Sequence, residues 1–188
     1  MGALYVRSRG PRVRLVAQTD GGGHERGIRS GTLNVPGIVG LSKACELLNL
    51  EARSETERIR ALRDRLFTLL SCSIQGVVLN GDAEKRLTGN LNISIEGIPS
   101  DLLIGALPEI AISSGSACTS ASLEPSYVLR AMGASDEHAR SSLRFGIGRF
   151  TTEGQIDRAA ELVAAKVHEL RNGAPRSLEA PMTLKERA

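Results

Sequence analysis

Residues 90–95, Asn90-Leu91-Asn92-Ile93-Ser94-Ile95, alternate polar and apolar side chains at every position. This period of two is typical of a strand with one face in a core and one polar face. Outward from it, Gly76–Asn80 and Ser141–Ile147 have a similar strand-like character, and Ile110–Ile112 is a short apolar run. We therefore predict a small antiparallel sheet built from these segments.

Helices are predicted around these strands, because apolar residues recur there at spacings of three and four. They cover residues 35–70, 100–107, 127–132 and 152–171. Ser100 is expected to cap the second helix, and Thr152 with Gln155 forms a capping box for the last. Together these elements predict an α/β chain that contains a small α+β domain. In that domain, helices pack on one face of an antiparallel sheet.

The first 36 residues differ from the rest in pattern and charge. Gly2–Val6 and Arg12–Ala17 read as two strands, so the chain is expected to begin in the middle of a sheet. Six arginines against two carboxylates give this part a net charge of +4. A nucleic-acid arm would use such an asymmetry, as would recognition of phosphate or carboxylate groups on a small ligand. The strand-like alternation and the scarcity of aromatic residues favour binding of a small anionic ligand over binding of nucleic acid. We therefore expect no nucleic-acid partner.

Gly21–Thr32 is dense in glycine and fits no familiar nucleotide or zinc motif. A P-loop would end in Gly-Lys-Ser/Thr, and Ile28 stands where HExxH needs its second histidine. Glycines let backbone N–H groups approach an anion, and arginine and threonine side chains here could complete such a cradle. An ordinary turn-rich connector fits the same spacing, so both interpretations stay open.

The segment Ser113-Ser114-Gly115-Ser116-Ala117-Cys118-Thr119-Ser120-Ala121-Ser122 has no side chain larger than threonine. It cannot anchor itself in a core, so we expect an accessible, loose loop with Cys118 as its nucleophile. Cys45 and Cys72 are instead interpreted as small buried apolar residues. A cysteine phosphatase is disfavoured, because its arginine position holds Glu124.

The composition narrows the class of protein further. Three cysteines at distant spacings form neither a disulfide framework nor a zinc site, which favours a reducing compartment. No run approaches the roughly 18 consecutive apolar residues of a membrane span, and no signal peptide is evident.

Residues Ser113–Arg130 resemble the active-site segment of the cysteine desulfurases of iron–sulfur cluster assembly, which belong to the class V aminotransferases. Gly2–Val6, Gly21–Thr32, Asn80-Gly81 and Ser141–Glu153 are also similar to that family. The resemblance implies the C-terminal portion of a fold-type I transferase that uses pyridoxal phosphate. It implies removal of sulfur from L-cysteine, which gives L-alanine and a persulfide on the nucleophilic cysteine.

The resemblance also implies roles for individual residues. Cys118 would carry the persulfide and act as a transient iron–sulfur ligand. Arg144 would pair with the substrate carboxylate, a task that suits the guanidinium fork. Thr32 would reach across a homodimer to the cofactor phosphate of the other subunit, while His24 and Arg29 would help to position the cofactor.

The family's cofactor lysine follows a histidine, and none of the four lysines here does. We therefore expect an incomplete chain, truncated or split: a remnant of the large domain (1–36), a bridging helix (37–72), the small domain (73–172) and a tail (173–188). It would desulfurate only with a complementary N-terminal half.

The alternative is a non-catalytic module that carries persulfide or binds the dimer. Iron–sulfur scaffolds and other sulfur acceptors are the implied partners; a selenocysteine lyase stays open. The implied compartment is the cytoplasm, or the mitochondrial matrix of a eukaryote.

Overall fold

The computed structural model describes residues 1–11, 13–114 and 125–173. Two compact units divide the chain, Met1–Ser54 and Glu55–Ala188. The helices are α1 (Val35–Ser73), α2 (Ser100–Gly105), α3 (Tyr127–Ala131), α4 (Asp136–Arg140) and α5 (Glu153–Gly173), and the strands are β1 (Val77–Leu79), β2 (Asn90–Ile95) and β3 (Ser142–Gly146). Within the described ranges, none of the helices has the length and apolarity that a bilayer crossing needs.

The sheet has the order β1-β2-β3, and both pairings are antiparallel, as predicted. Ile93 on the central strand stands opposite Leu79 on one side and Leu143 on the other. The strand predicted at residues 110–112 is wrong. Ile110 donates its N–H back to the Leu107 carbonyl at 3.4 Å in a turn, which leaves only an isolated bridge between Ser113 and Arg144.

The core lies between one face of this sheet and the long helices. Leu91, Ile93 and Leu143 are at most 1% exposed and form one cluster with Leu66 of α1 and Val163 of α5. A fully buried side chain of this size contributes about 1.5–3 kcal/mol, so these contacts hold the helices to the sheet. The prediction of an antiparallel sheet with helices on one face is confirmed for the long helices.

Two predicted helix starts have different outcomes. The capping box of α5 is confirmed, because Thr152 N donates to Gln155 Oε1 at 3.0 Å and Gln155 N donates to Thr152 Oγ1 at 3.3 Å. The predicted cap at Ser100 is wrong, since the helix already includes that residue and Pro99 precedes it. Ser100 is buried instead.

Helix α4 was not predicted and lies against the polar face of the sheet. Ser94 Oγ on β2 donates to the His138 carbonyl of α4 at 2.8 Å. Ser135 caps this helix by accepting the His138 N–H at 3.2 Å. A single five-residue helix has too few positions for an apolar period to show, although the Ser-Asp-Glu start is a recognisable capping signal.

In the first unit, the two predicted strands at 2–6 and 12–17 are wrong. Leu4, Tyr5 and Val16 are 75%, 87% and 83% exposed, and neither stretch has a partner strand among the described residues. A strand needs a neighbour to accept its backbone hydrogen bonds, so alternation alone does not make a strand. The predicted boundaries at 36, 72 and 172 stay a prediction.

The interpretation of two cysteines as buried is also wrong. Cys45 and Cys72 both lie on α1 and are exposed free thiols. The buried residues of that helix are Leu62, Arg63, Leu66 and Leu70, so its core face excludes both cysteine positions.

Candidate functional site

Arg144 lies at the centre of β3, on the face opposite the core. Its neighbours Leu143 and Phe145 are buried in the core cluster, so the alternation of the strand directs Arg144 to the other side. The backbone of Arg144 is fixed by Ser113, which accepts its N–H at 2.6 Å and donates to its carbonyl at 3.3 Å. On the other side, Asn92 of β2 stands directly opposite. Arg144 therefore lies in a strand that has a neighbour on each side.

A cleft of about 430 Å³ opens beside Arg144, within the second unit. Among the described residues, four cationic side chains line it, Lys85, Arg86, Arg130 and Arg144, against one carboxylate, that of Asp82. A site with this excess of positive charge attracts an anionic ligand.

Two of these cations are already engaged by the protein. Arg130 pairs with Asp136 at 3.1 Å, and Arg86 donates to the carbonyls of Asn80 at 2.6 Å and Asp82 at 2.5 Å. Burial lowers the pKa of Arg86 from its usual value, although it stays charged at neutral pH. These contacts shape the wall of the cleft.

Arg144 is differently placed. Its guanidinium has no hydrogen bond or ion pair to any residue in the part of the chain that the structure describes. A guanidinium presents five N–H donors in a planar fork that matches a carboxylate. The predicted carboxylate-binding residue is thus available to a ligand, on a rigid strand at the edge of a cationic cleft.

A set of polar side chains beside Arg144 was not predicted from the sequence. Asn80 Nδ2 donates to Asn92 Oδ1 at 2.7 Å and to Ser94 Oγ at 2.9 Å. Asn80 and Asn92 line the cleft with Arg144. The signal in the sequence was the polar half of the β2 alternation, which marks one side of the strand as polar without saying what that side binds.

Cys118 lies outside the described residues, as does most of the loop predicted around it. The described residues on either side of that segment, Ser114 and Pro125, both line the cleft. Cys118 follows Ser114 by four positions in the sequence, and four residues span at most roughly 14 Å when fully extended. The nucleophile and iron–sulfur ligand roles stay predictions, and the described residues contain no group of side chains suited to a metal ion.

The other predicted site residues belong to the first unit, where all three are exposed. His24 precedes a short 3₁₀ turn, Glu25–Gly27, without capping it through its side chain. Arg29 donates to the carbonyls of Ser30 at 3.2 Å and Gly31 at 2.8 Å, so its guanidinium braces the loop itself. Thr32 follows, and the predicted contacts of all three residues with a cofactor stay predictions.

The positions of the lysines bear on pyridoxal phosphate, because a lysine holds this cofactor in the family that the sequence resembles. Lys43 pairs with Glu46 at 2.8 Å and Lys166 with Glu169 at 2.6 Å, each on the surface of its helix. Lys85 is an exposed loop residue at the cleft, and Lys185 lies outside the described residues. Two of the three described lysines are thus paired with carboxylates, and Lys85 stands beside the cleft, so the absence of a cofactor lysine from this chain stays a prediction.

Comparisons with known proteins give a consistent result. The sequence profile described as aminotransferase class-V matches residues 11–159. Proteins named cysteine desulfurase IscS from Anaeromyxobacter sp. (strain Fw109-5) and from Vesicomyosocius okutanii subsp. Calyptogena okutanii (strain HA) are each 58% identical over 175 residues, covering 93% of this chain and 43% of their own length. The chain thus spans less than half the length of these curated relatives.

Solved structures of NifS-like proteins are similar in fold to this chain. A NifS-like protein matches with a TM-score of 0.73 at 28% identity, over 86% of this chain and 40% of its own. A NifS-like protein from Rickettsia africae matches with a TM-score of 0.69 at 27% identity, over 84% of this chain and 41% of its own. The predicted fold class, part of a fold-type I transferase, is confirmed.

Proposed function

The chain belongs to the class-V aminotransferase family, and on that premise we propose that it supplies the sulfur-carrying and carboxylate-binding part of a cysteine desulfurase. The substrate is L-cysteine, and the products are L-alanine and a persulfide on Cys118. The observation that carries the proposal is the guanidinium of Arg144, which has no side-chain partner among the described residues and lines a cationic cleft together with residues on both sides of the Cys118 segment.

Arg144 recognises the α-carboxylate of the substrate. A bidentate pair between a guanidinium and a carboxylate fixes the orientation of the bound amino acid as well as its position. The strand that bears Arg144 is held on both sides, by Ser113 and by Asn92, so the guanidinium starts from a fixed backbone. Binding then places the substrate sulfur in the cleft whose border includes Ser114 and Pro125.

Cys118 takes the sulfur from the substrate. Its thiolate attacks the sulfur of L-cysteine, the C–S bond breaks, and an S–S bond forms on the protein. The electron pair of the C–S bond stays with the carbon, which takes up a proton and becomes the methyl group of L-alanine. A thiol of ordinary pKa near 8.5 is only a few per cent ionised at neutral pH. The excess of cations in the cleft favours the thiolate.

Pyridoxal phosphate, when bound, supplies the electron sink that weakens the C–S bond. Because none of the four lysines follows a histidine, as the family's cofactor lysine does, we propose that a complementary N-terminal half contributes the cofactor lysine, and that the completed subunits form a homodimer. Thr32 reaches across the homodimer to the cofactor phosphate of the other subunit, while His24 and Arg29 help to position the cofactor. The persulfide passes to an iron–sulfur scaffold or another sulfur acceptor in the cytoplasm, where Cys118 serves briefly as an iron–sulfur ligand.

The test is alanine release from L-cysteine with pyridoxal phosphate present. The chain is assayed alone and with the N-terminal segment of the Anaeromyxobacter sp. (strain Fw109-5) relative, a protein of which this chain covers 43%. We expect release only in the mixture, and its loss on Arg144→Ala. Release unaffected by Arg144→Ala would contradict the carboxylate role. Failure of the mixture to release alanine, with Cys118 still accepting sulfur from a persulfide donor, would favour the non-catalytic carrier instead.

A further inference from the structure

We propose that Asn92 is a second substrate-binding residue, whose amide N–H group donates to the carboxylate that Arg144 holds. The inference rests on the proposed function, since it adds a donor to the same ligand. It assigns a role to a side chain that the strand pattern marks only as polar.

The backbone pairing brings the two side chains together. The N–H and carbonyl of Arg144 both point away from β2, toward Ser113. The carbonyl of Asn92 likewise points to β1, where it accepts the Asn80 N–H at 2.9 Å. Arg144 and Asn92 therefore form a non-hydrogen-bonded antiparallel pair, the kind in which opposite side chains lie closer together, roughly 4.5 Å between Cα atoms.

The hydrogen bonds around Asn80 fix which way the Asn92 amide faces. Ser94 Oγ has one proton and donates it to the His138 carbonyl at 2.8 Å, because a carbonyl can only accept. Asn80 must then donate to Ser94 Oγ, at 2.9 Å, so the contacting atom is Nδ2. The same Nδ2 lies 2.7 Å from Asn92, which must present its oxygen there. The NH₂ group of Asn92 consequently faces away from Asn80.

The part of the chain that the structure describes uses neither of these two donor groups. Within the described ranges, the Asn92 NH₂ group and the Arg144 guanidinium have no acceptor, and both residues line the cleft. A planar anion with two oxygens satisfies such a pair: the guanidinium takes both oxygens, and the amide adds a third bond to one of them. A ligand without a carboxylate would leave both groups unsatisfied.

The experiment measures binding of L-alanine, the unreactive product with the same carboxylate, to the chain by NMR, following the side-chain N–H signals of Asn92 and Arg144. Ethylamine, which lacks the carboxylate, is the ligand control. We expect Asn92→Ala to weaken L-alanine binding roughly tenfold, the lower end of what a hydrogen bond to a charged group contributes. Asn92→Asp should weaken it further, because the new carboxylate competes for Arg144.

Asn90→Ala is the matched variant, since Asn90 has the same side chain on the same face of β2 and also lines the cleft, but stands opposite Gly146 rather than Arg144. It should change binding less than twofold, and thermal melting shows whether each variant is folded. If Arg144→Ala abolishes binding while Asn92→Ala and Asn90→Ala both leave it unchanged, the Asn92 proposal is overturned and the carboxylate site stands. If L-alanine shifts neither signal in the unmodified chain, the proposed carboxylate site itself is overturned.

Discussion

Replacement of Arg58 by methionine should destabilise the second unit and loosen the loop that follows β3. Arg58 on α1 donates to the carbonyls of Thr151 at 2.8 Å and Arg149 at 2.5 Å, with a marginal third contact to Gly148 at 3.5 Å. Each such bond contributes about 0.5–1.5 kcal/mol net, and the freed carbonyls can reach water because this loop is at the surface. We therefore expect a loss of about 1–2 kcal/mol, and methionine keeps most of the aliphatic packing of the arginine stem.

Urea denaturation of the chain, followed by circular dichroism, measures this loss. Arg60→Met is the control, because Arg60 lies on the same helix and its side chain has no hydrogen bond or ion pair to any other described residue. The two variants should differ in midpoint but not in slope. Equal stability of Arg58→Met and Arg60→Met, within roughly 0.3 kcal/mol, would refute the claim that this guanidinium fixes the loop.

Three further predictions concern stability. Val163→Ala removes a fully buried side chain and should cost about 2–3 kcal/mol, whereas Val39→Ala, at a helix position that is 61% exposed, should cost under about 0.5 kcal/mol by the same urea measurement. Thr152→Ala breaks the capping box and should cost about 1 kcal/mol, while the serine variant keeps the acceptor and should not; equal losses would contradict the capping role. Hydrogen bonds from the backbone N–H groups of Lys85 and Glu84 lower the pKa of Asp82, so its stabilisation is present above the unfolded pKa near 4 and is lost as the pH falls through the folded value. Asp82→Asn keeps an acceptor but cannot titrate, so its thermal midpoint should fall less steeply with acid than that of the unmodified chain; identical profiles would contradict this assignment.

The parts of the fold that local sequence predicts are those whose signal lies within one element. The alternation of residues 90–95 gave β2, and the Thr152–Gln155 pair gave the start of α5, because both patterns are set by side chains a few positions apart. The segment at 12–17 has a similar alternation, but its described residues, 13–17, form no strand, because a strand also needs a partner strand, which the alternation does not indicate. The local pattern indicates that a segment can form a strand. Whether the strand forms depends on a partner segment elsewhere in the chain.

In the candidate site, too, one residue could be predicted from the sequence and another could not. The resemblance at Ser141–Glu153 pointed to Arg144, and the structure leaves its guanidinium unpaired in the described part of the chain. The role of Asn92 could not be predicted, since it depends on hydrogen bonds from Asn80 and on pairing with a strand some fifty residues later. Such contacts arise only when the sheet assembles.

Persulfide mapping tests the central claim most directly. The chain, mixed with the N-terminal segment of its Anaeromyxobacter sp. (strain Fw109-5) relative and pyridoxal phosphate, is treated with L-cysteine, alkylated and digested for mass spectrometry. The exposed thiols of Cys45 and Cys72 are internal controls in the same chain. We predict one additional sulfur atom on Cys118, none on the two controls, and loss of persulfide and of sulfur transfer in Cys118→Ser. Equal sulfur on all three cysteines, or unchanged sulfur transfer in Cys118→Ser, would contradict the account.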